Sequence, residues 1–348
     1  MAFSAGELAN IANAALDFYI KGPSFSQTIQ DKPLLAALKA KQKSFPGGKG
    51  NISLPVKGDY TTALAGYTHN DTVSYANPAN MKRVTFPWKE LHAGITVTLT
   101  ELKIDGISVV DSTTGAKTAE HSERELTALS GLLEDKLEDM SEGWARSFQQ
   151  MLWKDGTQDA KQVPGLLALI TDDPTTGTVG GIDRSTTLWW RNRSLVGANK
   201  ITSSVSAQTL TKTLRAEIRQ LTRYGAKPDM VFAGSGFIAA LEAEITEKGM
   251  YTQAGFLKSG STDIGLGDIS IRGIGNVVYD PTLDDLSMPK RCYFVDSKGI
   301  QLRPMDGEDN KTHSPARPAT QYALYRAMTW TGGLVAQQLN GCGVYEVA

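Results

Sequence analysis

Residues 118–153 read TAEHSERELTALSGLLEDKLEDMSEGWARSFQQMLW. No proline interrupts them. Leu126, Leu129, Leu133, Leu137, Met140, Trp144, Phe148 and Met151 recur at steps of three or four. That spacing lays one apolar stripe along an α-helix. At 1.5 Å per residue the rod is roughly 50 Å long, well beyond the usual helix of a globular domain. Such a rod fits a framework for assembly better than the wall of a catalytic cleft. Thr118 or Ser122 can cap its start, and Ser122 with Glu125 reads as a capping box. Glu120 precedes Arg124, and Glu142 precedes Arg146, in the favourable order on an exposed face. Gly131 and Gly143 each cost about 1 kcal/mol relative to Ala and read as bends or close contacts. Glu134, Asp135, Glu138, Asp139 and Glu142 form an acidic band relieved only by Lys136. Like charges four apart repel, so the band is either a solvated face or a docking surface for a basic segment of another copy.

Upstream, residues 6–20 carry Leu8, Ile11, Ala12, Ala15, Leu16 and Tyr19 as a short amphipathic helix that Gly22-Pro23 ends. Asp31 is placed to cap a second short helix with Pro33 in its first turn and Leu34, Leu35 and Leu38 inside. Lys39, Lys41, Lys43 and Lys49 follow with no acid between them, and Phe45-Pro46-Gly47-Gly48 breaks the helix. Residues 1–49 are too short to own a core and read as an arm.

From Gly50 the period changes to two. Ile52, Leu54 and Val56 alternate with Ser53, Pro55 and Lys57, Val84, Phe86 and Trp88 with Arg83, Thr85 and Pro87, and Ile95, Val97 and Leu99 with Thr96, Thr98 and Thr100. This is a two-stranded excursion with a polar tip near Gly66-Tyr67-Thr68-His69-Asn70-Asp71. Pro55 and Pro87 suit edge or irregular strands. A lone ribbon is marginal in water, so it must lie against something else, such as another subunit.

Downstream come Val163-Pro164-Gly165-Leu166, an acidic turn at Asp172-Asp173-Pro174, Gly180-Gly181-Ile182-Asp183-Arg184 and Trp189-Trp190-Arg191-Asn192. Leu210, Leu214, Ile218 and Leu221 mark a helix stopping at Gly225. Met230 to Ala233 is a buried-strand candidate. Ser235 is placed to cap a helix ending by Gly249, and residues 254–267 read as loop. Strands are expected at 268–279, 291–296 and 299–304, the last two joined by Asp296-Ser297-Lys298-Gly299. Residues 305–318 read as loop, and strand-like stretches at 320–337 and 343–347 close the chain.

With 348 residues, 41% hydrophobic and 21% charged, the chain can bury an ordinary core in one large domain or two to three smaller ones. A net charge of -1 gives no global case for a nucleic-acid binder. Cys292 and Cys342 sit at no metal or redox spacing. The N-terminus lacks a signal-peptide pattern and no apolar run approaches a membrane span, so a soluble protein made in a cytoplasm is expected.

Catalytic readings are weak. His69, His92, His121 and His313 share no metal-ligand spacing, so no metal or cofactor is expected. Phe232-Ala233-Gly234-Ser235-Gly236 lies between strand and helix, as a nucleophile elbow would, but Ala233 replaces the first glycine. Helix capping by Ser235 explains it more simply. Gly180-Gly181 lacks a phosphate loop's lysine and reads as a turn. Asp172 and Asp173 read as a turn before an acid/base pair, and Trp189 and Trp190 as core or subunit packing before a stacking platform.

The order of arm, ribbon, long helix, mixed body and closing strands, with the motifs at 163–166, 180–186 and 189–192, resembles the major capsid proteins of tailed bacteriophages with the HK97 fold. The resemblance spans essentially the whole chain. It implies an α+β fold: N-terminal arm 1–49, extended β-loop 50–104, peripheral domain with spine helix 105–160, axial α/β domain 161–318, and closing peripheral strands 319–348. It implies a structural, non-enzymatic subunit that packs as hexamers and pentamers into an icosahedral shell around double-stranded DNA. The chain would reside in the virion, and in host cytoplasm before assembly. Its partners would be copies of itself, with a separate scaffold protein, portal or decoration protein, non-specific contact with packaged DNA, and no membrane. The ribbon begins near Gly50, so a scaffold would be a separate protein or absent. Some members cross-link through Lys and Asn, but nothing selects a pair among Lys57, Lys82, Asn77 and Asn80. In the family the extended loop lies across a neighbouring subunit. The ribbon's Lys57, Lys82, Arg83 and Lys89 are therefore the candidate contacts for a neighbour's acidic band at Glu134, Asp135, Glu138, Asp139 and Glu142. The basic arm, Lys39 to Lys49, is a second candidate for contact with another subunit or DNA phosphates. The competing readings are an encapsulin-like nanocompartment shell and an α/β hydrolase centred on Ser235.

Overall fold

The computed structural model describes residues 29–60, 62–75, 77, 80–98, 123–249, 270–271, 275–313 and 323–348. The expected first helix at 6–20, the caps Thr118 and Ser122, and the loop at 254–267 lie outside them. The chain divides into two compact units. One comprises Met1–Gln30, Glu90–Phe148 and Gly307–Thr331; the other comprises Asp31–Lys89, Gln149–Asp306 and Gly332–Ala348.

Helix α1 spans Pro33–Ala40 and buries Leu34, Leu35 and Leu38, as their spacing predicts. Its cap position is Lys32, which makes no side-chain capping bond, so the cap expected from Asp31 is not formed. Pro33 occupies the first turn, where its missing N–H costs nothing. The Leu35 N–H, which has no partner within the helix, donates to Gln149 Oε1 at 2.8 Å. Strands β1 (Asn51–Lys57) and β2 (Met81–Pro87) form the antiparallel ribbon, pairing from Asn51↔Pro87 to Lys57↔Met81. Strand β3 (Lys89–Thr98) leaves the ribbon and joins a different sheet.

The long helix α2 runs from Glu123 to Trp153, 31 residues. Trp144 and Phe148 of the expected stripe are buried. The last turn departs from it: Gln149, Leu152 and Trp153 are buried and Met151 is half-buried. A Cβ added at Gly143 would meet nothing within 4 Å, so this glycine answers to no close contact.

Beyond it lie α3 (Leu166–Leu169), β4 (Thr178–Val179), β5 (Ile182–Asp183), β6 (Arg193–Leu195), α4 (Thr209–Leu221), β7 (Met230–Ala233) and α5 (Ser235–Gly249). Then come β8 (Ser270–Ile271), β9 (Gly275–Tyr279), α6 (Pro281–Asp285), β10 (Arg291–Val295), β11 (Ile300–Pro304), β12 (Lys311–His313), β13 (Ala323–Ala336) and β14 (Gly343–Glu346). Gly180 and Gly181 join β4 to β5 with φ of 60° and 82°, the left-handed pair a two-residue hairpin needs. Strand β12 falls inside the stretch expected to be loop. Its three residues carry no alternation of their own, and pairing with Ala327 to Thr329 of β13 makes the strand.

The second unit is built on a six-stranded mixed sheet, β6-β14-β10-β7-β9-β8. The sequence groups 343–347 with closing peripheral strands; β14 lies inside this sheet, between β6 and β10. Helices α4 and α5 cover one face, packing Leu210, Leu214, Leu221, Phe237 and Leu241 on Val231, Ala233, Cys292, Phe294 and Tyr345. Alternation turns Phe232 and Tyr293 to the other face, where their rings lie 6.0 and 5.0 Å from that of Trp153. Strand β7 is thus buried on both sides, which explains its unbroken apolar run. Strand β13 pairs with β12 through Ala327 to Thr329, with β11 through Gly332 to Ala336, and also with β3. In the first unit Phe148 packs between Trp144 and Trp330, with ring centroids at 6.0 and 4.9 Å.

Two buried carboxylates organise helix ends, and a third ties a helix to a strand. Asp280 caps α6, accepting from the Thr282 N–H at 2.9 Å, and also accepts from Gln149 Nε2 and Trp153 Nε1. Glu244 of α5 accepts from the Leu210 and Thr211 N–H groups at 3.0 and 2.8 Å, capping α4 from a neighbouring helix. Glu217 of α4 takes both arms of Arg193 at 2.9 and 2.8 Å.

Candidate assembly surfaces

The ribbon's base lies on its own chain. Ile52 and Val56 of β1 and Val84 and Phe86 of β2 are buried. The Thr85 N–H donates to Gly180 O at 2.9 Å. A Cβ at Gly180 would stand 2.8 Å from the Phe86 ring, and one at Gly58 would stand 2.6 Å from Trp189. The support expected from another subunit is supplied here by residues 180–190.

The tip is different. Within residues 58–80 the described part contains no strand, only a turn in which Asp71 accepts from the Thr68 N–H and hydroxyl at 2.8 and 2.9 Å. Those two bonds hold the Asp71 carboxyl below its ordinary pKa. Tyr60, Leu64, Tyr67, Val73 and Tyr75 are exposed, Leu64 and Tyr75 almost fully, at 103% and 94%. A contiguous sequence with that much apolar surface in water has the character of an unfilled contact.

The charged candidates divide. Strand alternation puts Lys82 on the inward face, opposite Val56. Its Nζ donates to Thr187 Oγ1 at 3.0 Å and sits 5.9 Å from the Trp189 ring centroid. Arg83 and Lys57 lie in the exposed rows, and Lys89 is half-buried at the start of β3. On α2, Glu138 and Asp139 are exposed and Glu142 is half-buried. The side chains of Glu134 and Asp135 lie outside the described residues. Within the basic arm, Lys41 pairs with Asp229 and donates to Ser297 Oγ at 2.9 Å, while Lys43 and Lys49 are exposed. Backbone bonds from Lys43 to Leu302 and from Phe45 to Pro304 run this segment along β11.

The segment under the ribbon is tied by buried polar groups. Arg184 is fully buried and donates to Leu169 O and Thr171 Oγ1; burial brings its pKa down to about 10. Trp190 is buried and donates to Val179 O at 3.0 Å, while Trp189 is half-buried. Asp172 pairs with Arg291 at 2.9 Å, and Asp173 accepts from the Thr175 N–H at 2.9 Å. Each aspartate therefore has its own structural partner.

Ser235 is exposed and is the first residue of α5, not its cap. Its N–H donates to Asp284 Oδ1 at 3.1 Å, so the carboxylate that caps this end comes from α6. A Cβ at Gly234 would stand 2.5 Å from Pro289 O, which accounts for the glycine by close backbone approach. Cys292 and Cys342 are buried and unbridged; burial pushes both thiols up, Cys342 to about 12. Among the described residues no cluster of three or more His, Cys, Asp or Glu could hold a metal ion. None of the described helices is long and apolar enough to cross a membrane.

No protein-family model matches this chain, and no curated protein matches it. Solved structures do. The chain is similar to a subunit of the cyanophage A-1(L) capsid, with a TM-score of 0.64 and 14% identity over 93% of this chain and 94% of that one. It is similar to the capsid subunit of a native GTA particle, with a TM-score of 0.56 and 14% identity over 97% and 98%. For the capsid of the myovirus phage XM1 the values are 0.51 and 10%, over 93% and 95%. The fold is that of phage capsid subunits.

Proposed function

We propose that this chain is a major head subunit that assembles as hexamers and pentamers into an icosahedral shell enclosing double-stranded DNA. The observation that carries this reading is the fold likeness to capsid subunits along 93% of the chain or more. The domain plan follows the HK97 pattern: arm 1–49, extended β-loop 50–104, spine helix within 105–160, axial domain 161–318 and closing strands 319–348, the last of which, β14, joins the six-stranded sheet. The chain acts as a building block and performs no catalysis. It works in the virion after a stay in host cytoplasm.

The exposed tip, from Leu64 to Tyr75, is the part of the loop that crosses a neighbour. Burying several such side chains supplies on the order of 2 kcal/mol each, which favours association. Arg83 and Lys57, in the outward rows of the ribbon, meet the neighbour's Glu138, Asp139 and Glu142, with Glu134 and Asp135 extending the band. Lys89 stands at the edge of this contact, and Lys82 anchors the loop's base instead. The further partners that a capsid role allows are a scaffold protein, a portal and a decoration protein. Purified shells treated with nuclease test the cargo. Protected double-stranded DNA supports a genome container, and a protected enzyme with no DNA would reassign the chain to a nanocompartment shell.

A further inference from the structure

We propose that the cavity beside Trp189 is a binding site for a neutral saccharide. It measures about 610 Å³, within the range of small-molecule sites. Four aromatic residues line it: Tyr60, Trp189, Trp190 and Tyr224. Tyr60 and Tyr224 are 81% and 63% exposed, so their rings are open to a ligand. Trp189 is a fixed platform. Its ring is pressed against the backbone at Gly58 and stands edge-on to Trp190, with centroids 5.8 Å apart at 71°. The turn between β13 and β14 supplies three amides, Gln337, Gln338 and Asn340. Gln338 Nε2 donates to Asn340 Oδ1 at 2.8 Å, which sets the orientation of both side chains.

Among the lining residues one cation, Lys57, balances one anion, Asp59, and the nearby Lys82 Nζ is already engaged by Thr187 Oγ1 at 3.0 Å and by the Trp189 ring at 5.9 Å. An ionic ligand therefore gains little here, and a purely apolar one would strand the amides without hydrogen bonds. A sugar ring has one face of C–H bonds and a rim of hydroxyls that both donate and accept. The C–H face suits the Trp and Tyr rings, and the hydroxyl rim suits amides, which likewise donate and accept. Walls already held in place lose little freedom on binding. The site adds a recognition role that a shell subunit does not need for assembly.

The test is saturation-transfer NMR on the full chain, as free subunit and as assembled shell, with maltopentaose, chitotetraose, cellopentaose and dextran as probes. Tyr224→Ala and Gln338→Ala are the variants, with thermal unfolding as a check on the fold. The expected result is a saturable signal from at least one probe in both forms, weakened about tenfold by either variant, or about 1.4 kcal/mol. Absence of a saturable signal with every probe would overturn the proposal. So would a signal unchanged in both variants. A signal seen only with the free subunit would also overturn it, because the cavity would then be covered by a second copy.

Discussion

Gln149 Nε2 donates to the Asp280 carboxylate at 2.7 Å, while Gln149 Oε1 takes the Leu35 N–H at 2.8 Å. One buried amide thus joins the end of the long helix to α1 and to the start of α6. Trp153 Nε1, one helical turn further on, donates to the same carboxylate oxygen at 2.8 Å. Substituting Gln149→Leu keeps the bulk and removes both bonds. The expected loss is about 2–3 kcal/mol, because a buried N–H and part of a carboxylate go unsatisfied. Denaturant unfolding of the free subunit measures it; a change below about 0.5 kcal/mol, the size of an ordinary surface substitution, would contradict the network's role.

Two buried carboxylates respond to acid in opposite senses. Burial pushes the Glu244 carboxyl up, but the Thr211 and Leu210 N–H groups and the Thr211 hydroxyl outweigh it, leaving its pKa below the ordinary value. Its stabilising contribution is present above the unfolded pKa of about 4.3 and is lost as pH falls through the lower, folded value. Asp280 goes the other way. Burial raises its pKa despite the Thr282, Trp153 and Gln149 donors, so its contribution is fullest at low pH and fades as pH rises through the folded value. Glu244→Gln should cost about 1–2 kcal/mol at neutral pH, as for loss of a charged cap. That deficit should shrink as pH falls below about 4, read from melting curves of the two proteins side by side.

Gly180 holds the ribbon's base through its φ of 60° and its closeness to Phe86. Gly180→Ala adds a methyl group where L residues are strained and where the ring already stands. A loss of about 1–3 kcal/mol is expected, concentrated in docking of the ribbon. Limited proteolysis reports it directly: cleavage within 58–80 should spread into β1 and β2 in the variant. An unchanged cleavage pattern would mean that the ribbon does not depend on this contact.

Gly143 has open space around its missing side chain. Gly143→Ala should stabilise the free subunit by about 0.5–1 kcal/mol through helix propensity alone. If shells then form poorly while the subunit is more stable, the glycine serves a contact between copies.

Glu138 and Asp139 are exposed on α2. Reversing both to Lys should leave the subunit folded and reduce shell formation, since the proposed contact with Arg83 and Lys57 becomes repulsive. Normal shells from that variant, counted on micrographs, would remove the acidic band from the assembly contacts.

Much of the fold could be read because its cues are local. The 3.6-residue stripe marked α2, Leu34, Leu35 and Leu38 marked α1, and the period-two runs marked the ribbon. The last turn of α2 departed from its stripe because a second set of partners, Phe232, Tyr293 and Asp280, pulls Trp153 and Gln149 inward. Non-local partners were invisible. The cap on α5 is Asp284, and β12 exists only through β13. The helix at Pro281 carried a readable signal in Asp280-Pro281-Thr282, a capping residue followed by proline. Lys82 and Arg83 are adjacent in sequence, yet period-two alternation already sends them to opposite faces.

The most direct measurement is negative-stain electron microscopy of the purified chain, run beside a sizing column over a range of concentration and salt. The account predicts closed shells, or rings of five and six subunits. A uniform monomer under every condition, labelled at Ser235 by a serine-reactive phosphonate, would contradict it.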